Sequence, residues 1–487
     1  MREKFDKLVG SRFGVIADKF INSPLYSVAV GAVCLVSHFF DIPVVGAVLL
    51  ALLLVPALLF CKNSFTLAPF LLMCAFVMSR NTQPDTGYYN TPLKITALCL
   101  ALVFVAAALI FNLTYFGKWK KIFKRSYLTV SLALVSGVLV VGGVGTEWYT
   151  LSGMGMALAI AITMYLPYSL LVNCGEYNGR KTVEYFAFAV IVAAFVIGAD
   201  FMRQYVINDL GVSSDRWVIK ECLKLGFVGP NTGSAIITLA IPLTFYLVYV
   251  YKHGYLFVPL IALDLLLIVA AISRASFVIA APGTFVVAVA LCFKKKDGKL
   301  GYWIAFGLAC LAVAAVAIVF RHKIADVVKE LFSSDFTGTG RTTLWSKGFE
   351  AWKGAPVFGI GLWYLRLNGE WFYSFHCTPL TYLYCAGVVG LLAYGYHRCK
   401  TVRLIFSAKL TTERVFVALT VLAMLLNALL DIAMTSPTHL LYYGVMLALI
   451  ECDVKKTKAD AAVSASADDA AASVAPDAVA NKTAYKK

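Results

Sequence analysis

Long apolar stretches recur along almost the whole of this 487-residue chain, and they restrict its fold more than any other feature of the sequence. About 20 apolar residues in helical form cross the hydrocarbon core of a bilayer, which is about 30 Å thick. With 60% hydrophobic and only 14% charged residues, a soluble domain of this length could not bury so much apolar surface. The sequence therefore predicts a membrane protein of the all-α class.

Fourteen of these stretches are long enough to be crossing helices, so we predict a polytopic transmembrane helix bundle of about 14 spans, within a range of 12–14. They lie near residues 24–40, 43–60, 65–79, 93–116, 126–144, 150–173, 182–200, 233–252, 254–272, 276–293, 299–320, 377–397, 413–431 and 437–451.

The formal charge of +16 is carried in short basic clusters between the apolar stretches. These clusters read GKWKKIFKR, NGRK, FKKKDGK, HRCKTVR and DVKKTK. If the N-terminus is cytoplasmic, all of them lie on the cytoplasmic face, as the positive-inside rule requires. We therefore attribute the charge to membrane topology, predict that both termini are cytoplasmic, and expect no nucleic-acid partner.

Composition divides the chain into three parts. Residues 1–23 are charged and amphipathic, with no cleavage site after the first apolar run, and are predicted to be a cytoplasmic N-terminus. Residues 24–452 form the transmembrane domain. The remainder, 453–487, is rich in Ala, Asp and Ser without apolar periodicity and is predicted to be a disordered cytoplasmic tail.

Two outer segments, roughly 201–232 and 321–376, are too long to be simple turns. The second is the largest hydrophilic insertion, an extracytoplasmic loop that we predict to contain short amphipathic helices on the membrane surface. One would cover IADVVKELF. The other would cover TTLWSKGFEAW, in which Trp345, Phe349 and Trp352 share one helical face.

Three ionisable residues fall on the predicted outer face. Arg274, in ISRAS, lies between two apolar stretches, where a charge costs about 2.5–3.5 kcal/mol on insertion scales. Arg341 follows the Gly/Thr run SDFTGTG, and His376 begins the next span. Each alone fits a structural role: a snorkelling arginine, a solvated loop arginine and an interfacial histidine.

Together, these three residues suit a site for a phosphorylated substrate at the lipid boundary. Two guanidinium groups can bind a diphosphate through paired hydrogen bonds. A histidine can take up a proton near neutral pH. Neither CxxC pairs nor His/Cys metal spacing occur in the sequence, so we predict no metal site.

The order of short motifs around these residues resembles the bacterial O-antigen ligase/polymerase superfamily, from residue 226 to residue 391. The motifs are SR, GR-x-x-x-W, P-x-x-G-x-G, H-x-x-x-L and G-x-x-G-L. Here they read Ser273-Arg274, Gly340-Arg341 with Trp345, PVFGIG from Pro356, His376 with Leu380, and GVVGL from Gly387. GFVGPN, ending at Asn231, is similar to the family's F-x-x-P-N element, whereas Cys377 stands where the family commonly has Asn.

The resemblance implies transfer of a glycan from undecaprenyl diphosphate to a hydroxyl acceptor at the outer face of the bacterial cytoplasmic (inner) membrane. His376 would be the general base, and Arg274 and Arg341 would bind the diphosphate. Asn231 would contact the substrate. The reaction would invert the anomeric carbon without metal or cofactor. The expected partners are the undecaprenyl-diphosphate-linked glycan, a glycolipid or glycan acceptor, and membrane lipids.

Alternatives remain open on the sequence. A ligase is favoured by one dominant outer loop, while the 201–232 segment keeps open a polymerase that joins lipid-linked repeat units. A lipid-linked oligosaccharide flippase or other transporter could also have fourteen spans, but such proteins are usually built from repeated halves. We find no internal repeat in the sequence, and the ionisable residues cluster at one face. A structural scaffold would not need Arg274.

Overall fold

The computed structural model describes most of the chain, and the regular secondary structure of the described residues is helical apart from one hairpin. The described residues are 6–7, 9–77, 91–146, 149–210, 216–223, 229–319, 321, 341–362, 365–367, 370–372, 375–431 and 435–474. Within them, strands β1 (Leu365–Leu367) and β2 (Glu370–Phe372) pair antiparallel, with Leu365 opposite Phe372.

Nine helices come from the first half of the described chain. They are α1 (Arg12–Ile21), α2 (Pro24–Phe39), α3 (Pro43–Phe60), α4 (Ala68–Met73), α5 (Pro92–Tyr115), α6 (Trp119–Ile122), α7 (Thr129–Val141), α8 (Leu151–Cys174) and α9 (Arg180–Ile207). Short 3-10 turns, Ser64–Leu67 and Cys74–Val77, flank α4.

The second half of the described chain supplies the helices that carry the site. They are α10 (Arg216–Cys222), α11 (Pro230–Val250), α12 (Val258–Ala270), α13 (Arg274–Lys294), α14 (Lys299–Val319), α15 (Arg341–Lys353), α16 (Thr378–Ile405), α17 (Thr412–Leu430) and α18 (Pro437–Val474). A 3-10 turn, Gly254–Phe257, leads into α12.

The helical membrane bundle predicted from the sequence is confirmed. Eight of the described helices are long and apolar enough to cross a membrane, and α1 with α2, bent by 75°, could form a ninth crossing. Shorter apolar helices also coincide with predicted stretches, namely Ser64–Val77, Thr129–Val141, Gly254–Ala270 and Lys299–Ala315. The count of fourteen spans stays a prediction.

The predictions made for segments outside the spans have different outcomes. α15 covers the predicted amphipathic sequence TTLWSKGFEAW. The other predicted helix, IADVVKELF, lies outside the described residues. α18 continues beyond Cys452 to Val474, so this part of the predicted tail is helical in the structure. Its many alanines have high helix propensity, which explains continuation without apolar periodicity.

Helix α11 forms the centre of the half of the bundle that carries the site. It packs against α9, α12, α13 and α17, and most of its side chains are buried. Its threonines fit this apolar setting because their hydroxyls bond within the helix: Thr238 donates to the Ser234 carbonyl at 2.8 Å and Thr244 to the Ala240 carbonyl at 2.9 Å.

Helices α11, α13 and α17 have aligned ends. Lys295, just after α13, donates from Nζ to the carbonyls of Val248 (2.6 Å) and Tyr251 (2.9 Å) at the end of α11. The hydroxyl of Tyr246, near the end of α11, donates a hydrogen bond to the carboxylate of Glu413, at the start of α17, at 3.3 Å. Because α11 and α13 have 21 residues each, their other ends are level too. We call the end where α11 and α13 begin the site end, and the other the opposite end.

Candidate functional site

His376 and Asp431 form a hydrogen-bonded pair at the site end. His376 precedes α16 and Asp431 follows α17, and 2.9 Å separates imidazole Nδ1 from carboxylate Oδ1. The hydroxyl of Thr378 donates to the main-chain carbonyl of Asp431 at 3.4 Å, which fixes the acidic residue against the start of α16. The imidazole is 41% exposed and the carboxylate only 12% exposed. The acid therefore supports a ring that a substrate can reach.

This geometry selects one tautomer of the His376 imidazole. A carboxylate only accepts hydrogen bonds, so Nδ1 carries a proton and donates a hydrogen bond to Asp431 Oδ1. The lone pair then belongs to Nε2, which is the atom able to take a proton from a hydroxyl. The carboxylate also stabilises the imidazolium that forms, as in other acid-supported histidine bases. The pair has the arrangement of a general base with its orienting group.

Arg274 is the first residue of α13, and a serine–asparagine network fixes that helix start against α17. Ser273 Oγ donates to Ser276 Oγ at 3.2 Å, and Ser276 Oγ donates to Asn427 Oδ1 at 3.2 Å. Asn427 lies one helical turn before Asp431. These contacts bring the start of α13 to the end of α17 that carries Asp431, so Arg274 and His376 share the site end.

Ile272 and His376, both at this end, have a left-handed backbone, which side chains other than glycine rarely adopt. Ile272, in the turn between α12 and α13, has φ of 50°, and His376 has φ of 47°. For a β-branched residue such as isoleucine this conformation is especially unfavourable. Each such residue costs about 1–3 kcal/mol and persists where surrounding contacts impose it, as is common at binding and catalytic sites.

Arg341 begins α15, a helix that docks beside His376. Trp345, one turn after Arg341, donates from its indole Nε1 to the carbonyl of Phe375 at 2.6 Å. Gly348 packs with no side chain against the rings of Phe375 and Tyr384, where a Cβ atom would come within 2.4 Å of the first ring. The backbone of Arg341 thus starts a helix fixed next to His376, while its side chain lies outside the described part of the chain.

Asn231 is the second residue of α11 and so lies at the site end as well. Its side-chain oxygen accepts from Lys220 Nζ, on α10, at 3.5 Å. The starts of α11 and α13 and the end of α17 therefore carry Asn231, Arg274 and Asp431. The roles assigned to Asn231, Arg274, Arg341 and His376 stay predictions, because position alone does not test them. Among the described residues, no group of three or more His, Cys, Asp or Glu side chains could hold a metal ion.

The two glycine-rich motifs, PVFGIG and GVVGL, contact each other at a break in α16. Gly387 interrupts that helix with φ of 68° and ψ of −163°. The PVFGIG segment supplies replacement partners: Ile360 N–H donates to the Tyr384 carbonyl at 2.8 Å, and Val388 N–H donates to the Pro356 carbonyl at 3.0 Å. These bonds satisfy the backbone groups that the break would otherwise leave unpaired. The motifs therefore shape the start of α16, directly after His376.

We expect Gly387→Ala to lower the melting temperature of the purified protein in detergent. A Cβ atom there would lie 2.1 Å from the Val357 carbonyl oxygen, and this backbone conformation is essentially restricted to glycine, which together should cost at least about 1–3 kcal/mol. Gly395→Ala, in the same helix with no atom within 4 Å of the added methyl, is the matched control and should not lower it. Equal melting temperatures for the two variants would contradict this account.

Asp431 and Asn427 are the residues at this site that the sequence reasoning missed. Both lie within the predicted apolar stretch 413–431. The available signal was an acidic residue at the predicted outer end of a span, on the same side as His376. Ionisable residues at membrane depth mark functional sites by default, and Asp431 met that description.

We expect Asp431→Asn to reduce turnover by about 10–100-fold without loss of folded protein. The change removes a charge-assisted hydrogen bond, worth about 1.5–3 kcal/mol, and its support for the imidazolium. Catalytic turnover and the melting temperature are the measurements. Asp209→Asn is the control, because Asp209 is exposed just after α9 and Asn tolerates its left-handed backbone. Wild-type turnover in Asp431→Asn would remove the carboxylate from the mechanism.

Comparison with known proteins agrees with the resemblance predicted from the motifs. The family model described as O-Antigen ligase matches residues 259–395, a range that includes Arg274, Arg341 and His376. The exopolysaccharide production protein ExoQ of Rhizobium meliloti (strain 1021) is 34% identical over 95 residues. That alignment covers 16% of this chain and 22% of the relative. The resemblance to the O-antigen ligase/polymerase superfamily is thus confirmed for residues 259–395, a range that does not include Asn231 or Asp431.

Proposed function

We propose that this protein transfers a glycan from undecaprenyl diphosphate to a hydroxyl acceptor at the outer face of the bacterial cytoplasmic membrane. The observation that carries the proposal is the His376–Asp431 pair, held at the same bundle end as Arg274 by the Ser276–Asn427 contact. A base with its orienting acid, at the same end of the bundle as a guanidinium, suits attack by a hydroxyl and departure of a diphosphate.

The reaction is a single displacement at the anomeric carbon. Nε2 of His376 takes the proton of the acceptor hydroxyl while its oxygen bonds to the anomeric carbon. The bond from that carbon to the diphosphate oxygen breaks, and the electron pair leaves with undecaprenyl diphosphate. Arg274 and Arg341 stabilise the negative charge that develops on the diphosphate, and Asn231 contacts the glycan donor. Attack opposite the leaving group inverts the anomeric configuration, and the arginines supply the charge that a metal would otherwise provide.

The proposed topology has fourteen spans, cytoplasmic termini and an outer loop at 321–376, with the site end outward. Its support is the distribution of charge in the described structure. Lys295 lies at the opposite end, and Arg180 does too, bonded to the Val250 carbonyl at 3.2 Å. Arg414 pairs with Asp453 there at 2.8 Å. The basic clusters at that end fit the cytoplasmic face.

The acceptor is proposed to be a glycolipid, which makes the protein ligase-like. A second candidate is a polymerase that joins lipid-linked repeat units of a surface polysaccharide, and the name of the relative, an exopolysaccharide production protein, favours it. Both reactions use the same donor chemistry and the same three residues, and they differ only in the molecule that supplies the hydroxyl.

Purified protein in proteoliposomes, supplied with an undecaprenyl-diphosphate glycan, separates these functions. A ligase needs an added glycolipid acceptor and releases one undecaprenyl diphosphate per glycan transferred. A polymerase works without that acceptor and yields lipid-linked chains of two or more repeat units. If the donor crosses the bilayer with its diphosphate bond intact and no product forms, the protein is a transporter and the proposal fails.

A further inference from the structure

A groove of about 540 Å³ runs along the outside of the bundle between α2, α9 and α12. Its walls are almost entirely apolar, with Ala32 on α2, Phe195 and Met202 on α9, and Leu263 on α12. These side chains are exposed and form the rim, so the groove opens sideways to the lipid. From Ile191 to Met202 it follows about 16 Å of helix.

Glycines let the three helices approach closely behind this groove. A Cβ atom on Gly31 would lie 2.5 Å from a methyl of Val192, and one on Gly198 would lie 2.4 Å from a methyl of Leu267. The back of the groove is therefore a continuous packed wall. A hydrocarbon chain lying in it would contact protein along one side and bilayer along the other.

Among the described residues that line this groove, Asp264 is the one ionisable side chain. It lies halfway along α12, is 8% exposed, and has no hydrogen bond or ion pair from the described part of the chain. An unpaired carboxylate in hydrocarbon is much less favourable than the neutral acid. In its neutral form, the Asp264 carboxyl presents an O–H donor inside an otherwise apolar groove.

The groove leads to the turn that carries Arg274. Met202 and Leu267 line its site-end portion, and one turn beyond them the hydroxyl of Tyr205 bonds the carbonyl of Ala270, where α12 ends. Arg274 follows four residues later. Asp264 lies six residues before Ala270, which is about 9 Å along the helix. A molecule with its phosphate at Arg274 could therefore lay its chain along this groove.

We infer that this groove binds the polyisoprenoid chain of the glycan donor, with the Asp264 carboxyl facing its double bonds. The inference rests on the proposed function, because it takes the donor to be a polyprenyl diphosphate held at Arg274. A saturated acyl chain would gain nothing from an O–H donor. An isoprenoid chain carries a C=C bond in every unit, and its π electrons accept weak hydrogen bonds. The carboxyl thus favours the unsaturated chain.

A lipid-soluble carbodiimide tests this assignment without any measurement of glycan transfer. Dicyclohexylcarbodiimide adds the O–H of a protonated carboxyl across one C=N bond, and the adduct rearranges to a stable N-acylurea that keeps all atoms of both reactants. We expect peptide mass spectrometry of the full protein in nanodiscs to find this adduct on Asp264. Asp264→Asn should lack it, and Asp200, buried against His38 at 2.8 Å, should stay unmodified.

Protection by the chain is the decisive measurement. Polyprenyl monophosphate at ten times its Kd should slow labelling of Asp264 about tenfold, because only the empty groove reacts. A fully hydrogenated phosphate of equal chain length should bind about two- to fivefold more weakly, a difference that Asp264→Leu should abolish when affinities are measured by photocrosslinking. Equal labelling rates with and without polyprenyl phosphate would overturn the inference.

A groove-filling variant supplies an independent test. Ala32→Phe adds a ring at an exposed lining position, so photocrosslinks from a diazirine-bearing polyprenyl phosphate to α2, α9 and α12 should fall severalfold. Ala107→Phe, on an exposed position of α5, is the matched control. Crosslinks that map to other helices would overturn the groove assignment while leaving the proposed transfer intact. If the proposed transfer mechanism were wrong, His376→Ala would instead keep full activity.

Discussion

His376→Ala is expected to lower glycan transfer by about 10²–10⁴-fold, the usual contribution of a general base. The imidazole is the only group in the described His376–Asp431 pair with a lone pair suited to take the acceptor proton, since the carboxylate is engaged in orienting it. The variant should fold and insert, because the ring is 41% exposed and leaves no large cavity. In cells, lipid-linked glycan should accumulate, and purified protein should show the loss as a fall in turnover.

His253→Ala is the matched control for this experiment. His253 is exposed at the opposite end, where its ring lies near the hydroxyl of Tyr255 at 3.4 Å. Its removal should leave turnover unchanged. A purified His376→Ala protein with wild-type turnover would exclude the imidazole as the base, whatever its effect in cells.

Arg274→Ala is expected to reduce transfer by about 10²–10³-fold, the usual effect of removing one donor that stabilises developing charge. The guanidinium stands at the start of α13, where it would meet the departing diphosphate. Arg274→Lys should recover only part of the activity, because an ammonium keeps the charge but loses paired hydrogen bonding. Turnover and the affinity for polyprenyl diphosphate should both fall in the alanine variant.

Arg403→Ala is the control for the arginine experiment. Arg403 is exposed near the end of α16, at the opposite end from His376, and its loss should leave both quantities unchanged. If Arg274→Ala instead transfers glycan normally and only its melting temperature falls, then Arg274 has a structural role and the diphosphate is held elsewhere.

Much of the fold follows from the sequence because membrane helices are set by apolar length. The stretch 43–60 coincides with α3, Pro43–Phe60, to the residue. The stretch 182–200 was too short, because α9 runs on to Ile207. The predicted apolar stretch ends at Asp200. The carboxylate of this residue lies 2.8 Å from the His38 imidazole and accepts a hydrogen bond from the Gln204 amide at 3.3 Å. Polar residues that pair with one another inside the protein allow a helix to continue beyond the end of its apolar stretch.

The site was only partly visible in the sequence. Arg274 and His376 stand out because an ionisable residue at the edge of an apolar stretch is unusual, and Arg341 because it follows a Gly/Thr run in the outer loop. Asp431 was missed because its partner is 55 residues away and only the fold brings them together. The contact between PVFGIG and GVVGL is likewise not visible in the sequence, where the two segments look like separate motifs. Their backbone contacts across the break in α16 depend on packing that no spacing rule encodes.

The most direct test of this account is a single-turnover assay with purified protein, radiolabelled lipid-linked glycan and acceptor. We predict that wild-type protein releases undecaprenyl diphosphate in equal amount to the glycan transferred, and that the double variant Arg274→Ala, His376→Ala releases none above the uncatalysed background. Release at the wild-type rate by that double variant, with its fold intact, would contradict the assignment of this end of the bundle as the site of transfer.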